Sequence, residues 1–464
     1  MTFNKQTYEG RRDALRSRVK DGIILLLGNV DVPMNYRANT YSFRQDSNFL
    51  YFFGIDHQGL AAIIDVDEGV DYLFGDDASL DDIIWMGPQP LLSERAASVG
   101  VSRAMPSDKL HEVVGEALRE GRAVHFLPPY RAENMIRLEK LLGIHPDNQQ
   151  GRASVELIMA VVSLRSVKED QEVELIEQAI DTAWQMHTTA IRMAHPGTYE
   201  YEIAGAVESI ALSAGGRLSF PLILSKHGET LHNHYHGNRL EAGDLLIVDA
   251  GCEMASRYAT DHTRTIPVGG RFRQRQKDIY QIVLEAETKA IEAIKPGEPF
   301  RNIHLHAAGI IGQGLKDLGL MRGDIQAAVE QGAHALFFPH GLGHMMGLDV
   351  HDMEDLGENF VGYDDEIKRS DIFGTAYLRL GRRLQTGFVL TVEPGIYFIP
   401  ALIEKWEGEA RFSEYINYQK VKEYVGFGGI RIEDDVLVTH DGYRVLGKPI
   451  PKTTGELESF AFSS

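Results

Sequence analysis

Two segments decide the fold: "GDLLIVDAG" (Gly243–Gly251) and "GFVLTVEPG" (Gly387–Gly395). Each opens on a glycine, passes through an apolar-rich run of the length a buried strand takes, and reaches a carboxylate six positions on. The carboxylate is Asp249 in the first and Glu393 in the second. A second carboxylate follows each: Asp261 in "YATDHTRT" and Glu433 in "IRIEDDV". The match also extends upstream. One long amphipathic run, with Val173, Ile176, Ile180 and Ala183 at helical spacing, stops at Pro196-Gly197. Another, "RQKDIYQIVLEAETKAIEAIKPG", stops at Pro296-Gly297, one hundred positions later. A further helical run follows each stop, over 200–213 and 301–318, and leads to a Phe-Pro strand signal, "FPLILS" at Phe220 and "FPHGLG" at Phe338. Longer gaps in the second copy place insertions within 352–384 and 400–424. The C-terminal part therefore reads as an internal duplication.

Upstream of it, "GIILLLG" (Gly22–Gly28), "GLAAIIDV" (Gly59–Val66) and "AVHFLP" read as strands, and "KLHEVVGEALREG" (Lys109–Gly121) as an amphipathic helix. This is an α/β domain with no chemical constellation of its own. The change of character near residues 155–170 gives two domains, 1–165 and 166–464. The single cysteine, Cys252, allows no internal disulfide and suits a reducing compartment, read as the cytoplasm; it is expected to be a small core residue. The N-terminus carries no apolar leader, and no run reaches the roughly 18 apolar residues of a membrane span. With 47 basic and 67 acidic residues the net charge is −20, which excludes nucleic acid and acidic membranes as expected partners.

Folded face to face, the two halves bring Asp249, Asp261, Glu393 and Glu433 into one cavity. Four buried carboxylates repel and do not stay ionised unaided. Two divalent cations remove the conflict, since four negative charges then meet four positive ones. Between the second strand signal and Glu393 lies "FFPHGLGHMMGLDVHD" (Phe337–Asp352), with His340, His344 and His351. Its glycines argue against a helix, so the His340–His344 spacing is not a one-faced helical pair. One of these histidines is expected to ligate metal and the others to serve a substrate. Carboxylates with an imidazole suit manganese, cobalt or zinc.

The order "VDAG", "ATDHTRT", "PHGLGHMMGLDVHD", "LTVEPGIY", "GIRIEDDV" resembles the metallopeptidase family of methionine aminopeptidase, aminopeptidase P and prolidase. The resemblance covers roughly Val167 to Leu446. It implies an α/β (α+β) chain: a creatinase-like N-terminal α/β domain and a pita-bread catalytic domain with pseudo-twofold duplication. "FRQDSNFLYFFGID" (Phe43–Asp56) resembles the extra domain of aminopeptidase P and prolidase, which ranks methionine aminopeptidase lower. By the resemblance the metal ligands are Asp249, Asp261, His344, Glu393 and Glu433, holding two divalent ions, manganese first, with cobalt or zinc as alternatives. His234, in "HNHYH" beside His232 and His236, is implied with His340 and His351 to hold substrate and stabilise the tetrahedral intermediate. Arg431 is implied to orient ligands. The chain departs from the family at Phe220, where a tyrosine usually supports a ligand aspartate.

The implied reaction is hydrolysis of an Xaa-Pro bond by metal-activated water, with Glu393 as ligand and proton shuttle. The insertion "YLRLGRRLQTG" (Tyr377–Gly387) resembles the prolidase segment bearing a carboxylate-binding arginine, at Arg379. A dipeptidase acting on a small peptide with proline second is therefore expected, with aminopeptidase P as the alternative. A metal-free binding module of the same fold is a distant third, disfavoured because all five ligands are present. The resemblance also implies a homodimer.

Overall fold

The strands Ile23–Leu27 and Ala61–Asp65 are short and buried on both faces, which is why they read as unbroken apolar runs. The computed structural model describes residues 2–462 and divides the chain into two units. The first runs to Arg165 and takes in Met353–Phe360; the second comprises Ser166–Asp352 and the chain from Val361 onward. The eight residues 353–360 thus group with the first unit, a detail that a single cut along the sequence does not anticipate.

In the first unit a five-stranded sheet has the order Arg103–Met105, Val70–Phe74, Ala61–Asp65, Ile23–Leu27, Val124–Phe126. The two outer pairings are parallel and the two inner ones antiparallel. Side chains alternate across it. Ile23, Leu25, Ala61, Ile63 and Phe126 pack against Leu110, Val114 and Ala117 of the helix Lys109–Arg119. The helix Lys5–Arg16 contributes Arg12, which is wholly buried. Its Nε donates to Asp71 Oδ2 at 2.7 Å, Nη1 to the Phe52 carbonyl at 2.9 Å and Nη2 to the Val99 carbonyl at 2.8 Å.

The duplication in the second unit is visible element by element. Helices Asp170–Met193 and Glu200–Ser213 pair in one half, and Gln274–Glu292 and Phe300–Asp317 in the other. Leu245–Asp249 pairs antiparallel with Thr263–Pro267, with Asp249 opposite Thr263. Val389–Val392 pairs antiparallel with Asp434–Val438, with Val392 opposite Asp434. Asp249 therefore ends its strand and Glu393 follows its own directly, while Asp261 and Glu433 each lie just before the partner strand. The halves meet at a bridge between Thr263 and Glu433, where the Glu433 amide donates to the Thr263 carbonyl at 3.1 Å.

The Phe-Pro signal at Phe220 precedes a strand, Ile223–Ser225, but the one at Phe338 does not. There the chain is a loop laid along Val389–Val392, with Thr391 N donating to the His344 carbonyl at 3.0 Å and Met346 N to the Val389 carbonyl at 3.0 Å. The contacts are too close for side chains: a Cβ at Gly343 would stand 2.0 Å from the Thr391 carbonyl oxygen. The expected insertions hold short helices, Glu358–Val361 in one and Pro400–Gly408 and Tyr418–Lys422 in the other.

Replacing Arg12 by Met leaves Asp71 with Arg16 but without its second guanidinium, and the buried Phe52 and Val99 carbonyls without this donor. Arg12→Met is expected to destabilise the first unit by about 3 kcal/mol, read as a lower urea midpoint with an unchanged slope.

Candidate active site

The four carboxylates and one imidazole proposed as ligands reach one cavity, and so do His234, His340, His351, Arg379 and Arg431. His232 lines it as well, whereas His236 points its Nδ1 at the Leu224 carbonyl, 2.9 Å away. Ligand atoms of Asp261, His344 and Glu433 all lie within 4.8 Å of one another. Glu393 Oε1 stands 3.8 Å from His344 Nε2, and Asp261 Oδ2 stands 3.5 Å from it.

His344 is oriented by its backbone surroundings. Its Nδ1 lies 3.0 Å from the Met345 carbonyl, so that nitrogen carries the proton and donates. Nε2 is then a bare lone pair facing Asp261 and Glu393. Burial first, then His351, holds the imidazole well below its usual pKa, so it is neutral. The His351 ring sits 4.2 Å from it, centroid to centroid.

The carboxylates are strained electrostatically. Burial, then the charge of Glu433 and Asp249, raises Asp261 well above the carboxylate range. Burial, then Glu393 and Asp249, does the same to Glu433. Glu393 is pushed up to about 7, chiefly by burial, against the pull of Arg431. Asp249 Oδ1 and Asp261 Oδ1 are buried with no hydrogen-bond partner among the described residues. Unsatisfied buried oxygens are rare in folded proteins. Here they point with a bare imidazole nitrogen into one oxygen-rich pocket, and this donor set fits hard-to-intermediate divalent cations.

Arg431 braces the cluster. Its Nη2 donates to Asp249 Oδ2 at 2.6 Å, Nε to Thr263 Oγ1 at 3.1 Å and Nη1 to the Tyr397 hydroxyl at 2.8 Å. Tyr397 Oη lies 2.9 Å from His340 Nε2, whose ring carries its Nδ1 proton toward the Gly341 carbonyl at 2.8 Å. A continuous chain thus joins Asp249 in one half to His340 in the other. Burial and Arg431 push His340 down to about 3, so it is neutral and accepts from Tyr397. Thr263 Oγ1 donates to Glu433 Oε2 at 2.6 Å. Asp435 accepts from the Asp261 amide at 3.1 Å. Phe220 lines the cavity without donating to any carboxylate, and Arg431 holds Asp249 instead.

Sequence reading passed over Tyr397, Thr263 and Asp435. The only local signal for Tyr397 is its place in "EPGIY", four residues after Glu393. Thr263 and Asp435 carry none, because each acts on a partner more than a hundred residues away.

The description "Metallopeptidase family M24" matches residues 174–440, a span that contains every residue of the cavity. The chain belongs to metallopeptidase family M24. Residues 8–125 match the aminopeptidase P N-terminal domain. Within the family the chain belongs with the Xaa-Pro peptidases and is a hydrolase. It is 31% identical over 453 residues to the probable Xaa-Pro aminopeptidase of Aspergillus clavatus, covering 95% of this chain and 93% of that one. It is 30% identical over 468 residues to human Xaa-Pro dipeptidase, covering 95% and 89%. The structure of Escherichia coli aminopeptidase P with the inhibitor Pro-Leu superimposes with a TM-score of 0.80 at 27% identity, over 99% of this chain and 98% of that one. Pseudomonas aeruginosa aminopeptidase PepP gives 0.80 at 26%, with the same coverage. Family M24 membership implies divalent metal ions, and the donor set above fits them. Among the described residues no helix is long and apolar enough to cross a membrane.

The raised carboxylates fix the sign of a pH effect. An unfolded carboxyl titrates near 4, and the folded pKa values of Asp261, Glu393 and Glu433 are all higher. Between those limits the folded state binds more protons, so stability falls as pH rises. Chelator-stripped protein is expected to lose melting temperature steadily from about pH 4 through pH 7 and beyond. Added manganese should abolish the slope; scanning calorimetry at several pH values reads both.

Proposed function

We propose that the chain hydrolyses the bond preceding proline in small peptides, acting as an aminopeptidase that releases the N-terminal residue. The observation that carries this reading is the meeting of Asp249, Asp261, His344, Glu393 and Glu433 in one cavity with neutral His340 and with His351. The aminopeptidase form is supported by the names of the Aspergillus clavatus relative and of both structural neighbours, and it displaces the dipeptidase preference drawn from sequence.

In this proposal the five residues hold two divalent cations, manganese by preference. Bound there, such cations polarise a carbonyl oxygen and bring the pKa of water toward neutrality. The rest falls to the chain. His340, fixed by Tyr397 and Gly341, and His351, edge-on to His344, stand ready to hold the scissile carbonyl. Glu393 Oε2, 3.7 Å from His340 Nδ1, is placed to take a proton and return it to the leaving nitrogen. That nitrogen, in an Xaa-Pro bond, bears no hydrogen, so recognition must rest on the ring. Phe220, Ile223, Leu231 and Val350 give the cavity an apolar wall for it. His234, whose Nδ1 lies 3.2 Å from the Leu222 carbonyl, is held at the same wall.

One observation favours the dipeptidase reading. Arg379, from the prolidase-like insertion, lines the cavity, where a guanidinium can grip the carboxylate of a dipeptide in bidentate fashion. Rates on Gly-Pro and Gly-Pro-Gly with manganese separate the two. The aminopeptidase reading expects the higher kcat/KM on the tripeptide, and a clear dipeptide preference would reverse the assignment. In that second case Arg379→Ala should raise KM for Gly-Pro by about tenfold or more while sparing the tripeptide. Either activity is expected to vanish on chelation and return with manganese. Turnover that persists in metal-free protein would contradict the proposed site.

A further inference from the structure

The run Glu433-Asp434-Asp435 sends three carboxylates to three destinations. Glu433 faces the cavity, and Asp435 accepts from the Asp261 amide. Asp434, on the opposite side of the strand from Glu433, enters a second buried charge cluster that the proposed chemistry does not use. There Arg264 is fully buried and uses all five of its N–H groups. Nη1 donates to the Thr263 carbonyl at 2.9 Å and to the Glu433 carbonyl at 2.7 Å. Nη2 donates to Asp434 Oδ1 at 2.6 Å and to the Ile450 carbonyl at 3.1 Å. Nε donates to the Pro451 carbonyl at 3.0 Å. Lys452 completes the cluster, reaching Asp434 Oδ2 at 2.7 Å and Glu287 Oε1 at 2.6 Å, while the Tyr280 hydroxyl donates to the Lys452 carbonyl at 2.6 Å. Two cations and two carboxylates balance. None of these residues lines the cavity.

Two features separate this cluster from an ordinary buried ion network. It grips the backbone of Glu433 itself and of Thr263, whose hydroxyl donates to the Glu433 carboxylate. It also draws its outer wall from the segment Ile450–Lys452, beyond the stretch that carries the family motifs. We propose that Arg264, Asp434 and Lys452 are positioning residues for Glu433, and that the C-terminal segment Ile450–Lys452 thereby sets the affinity of the metal centre. The inference rests on the reading of Glu433 as a metal ligand. Removing the Lys452 charge leaves Asp434 with Arg264 alone and Glu287 without its cation directly behind Glu433, which loosens the position of the strand.

The experiment is manganese titration calorimetry on chelator-stripped full-length protein, with melting temperature measured alongside. Lys452→Met is expected to weaken manganese binding about 10- to 100-fold, the range typical of residues that orient metal ligands. Lys452→Arg should restore most of that loss, and KM for the peptide at saturating manganese should stay near wild type. Glu458→Gln is the control: Glu458 ties down the C-terminal helix Thr454–Phe460 through Lys277, Arg271 and the Phe272 amide, without touching Asp434. It should lower melting temperature with manganese affinity unchanged. If Lys452→Met fails to fold, Tyr280→Phe, which removes only the hydroxyl donating to Lys452, is expected to show a smaller loss of affinity in the same direction. Manganese affinity unchanged in the folded Lys452 variant (or, failing that, in Tyr280→Phe), or lowered equally by Glu458→Gln, overturns the proposal. Wild-type protein that binds no divalent cation overturns the metal reading beneath it, a distinguishable result.

Discussion

Four carboxylates that cannot all be charged without help are the constraint around which the second unit is built. Asp249 and Asp261 come from one half, Glu393 and Glu433 from the other, and burial raises Asp261, Glu393 and Glu433 above the range of free carboxyls. A fold drives such groups together only if something repays the repulsion. Within the chain the repayment is partial: Arg431 pairs with Asp249, and Thr263 donates to Glu433. Protons or cations can supply the rest, and the orphaned oxygens, the bare Nε2 of His344 and the metallopeptidase family to which the chain belongs all favour cations.

Bracing and chemistry share the same residues. Arg431 neutralises Asp249 with one nitrogen and fixes Tyr397 with another, and Tyr397 in turn sets the tautomer of His340. A change at any link is felt at His340, the end of the chain proposed to hold the substrate carbonyl. With phenylalanine at position 220 no hydroxyl is offered there, and the brace on Asp249 comes from the guanidinium that spans Asp249 and Thr263.

Much of this was legible because strands that end in the cavity impose a spacing. Gly243 to Asp249 and Gly387 to Glu393 repeat it, and the helix stops at Pro196 and Pro296 repeat with it. Without the family resemblance, which singles it out, His344 was legible only as one of three histidines, since the hydrogen bond that aims its Nε2 is made to the carbonyl of the next residue and leaves no trace in composition. Phe338 misled because a Phe-Pro pair signals extended chain, and the glycines after it turned that extension into a loop pressed on a neighbouring strand. Arg264 and Lys452 were invisible for another reason. Charged residues are usually solvated, and only the pairing of segments far apart in sequence reveals that Arg264 is enclosed and Lys452 half-buried over it.

The glycines of the histidine loop carry a consequence for how this enzyme can vary. A methyl group at Gly343 would collide with the Thr391 carbonyl, and one at Gly341 would stand 2.7 Å from the Leu378 Cα, both of them backbone atoms with little room to yield. Selectivity therefore cannot drift by enlarging these positions, in nature or in a mutant library. Variation is open instead at the apolar wall, where Leu231 and Val350 meet the cavity through side chains and not through main chain pressed on a neighbour.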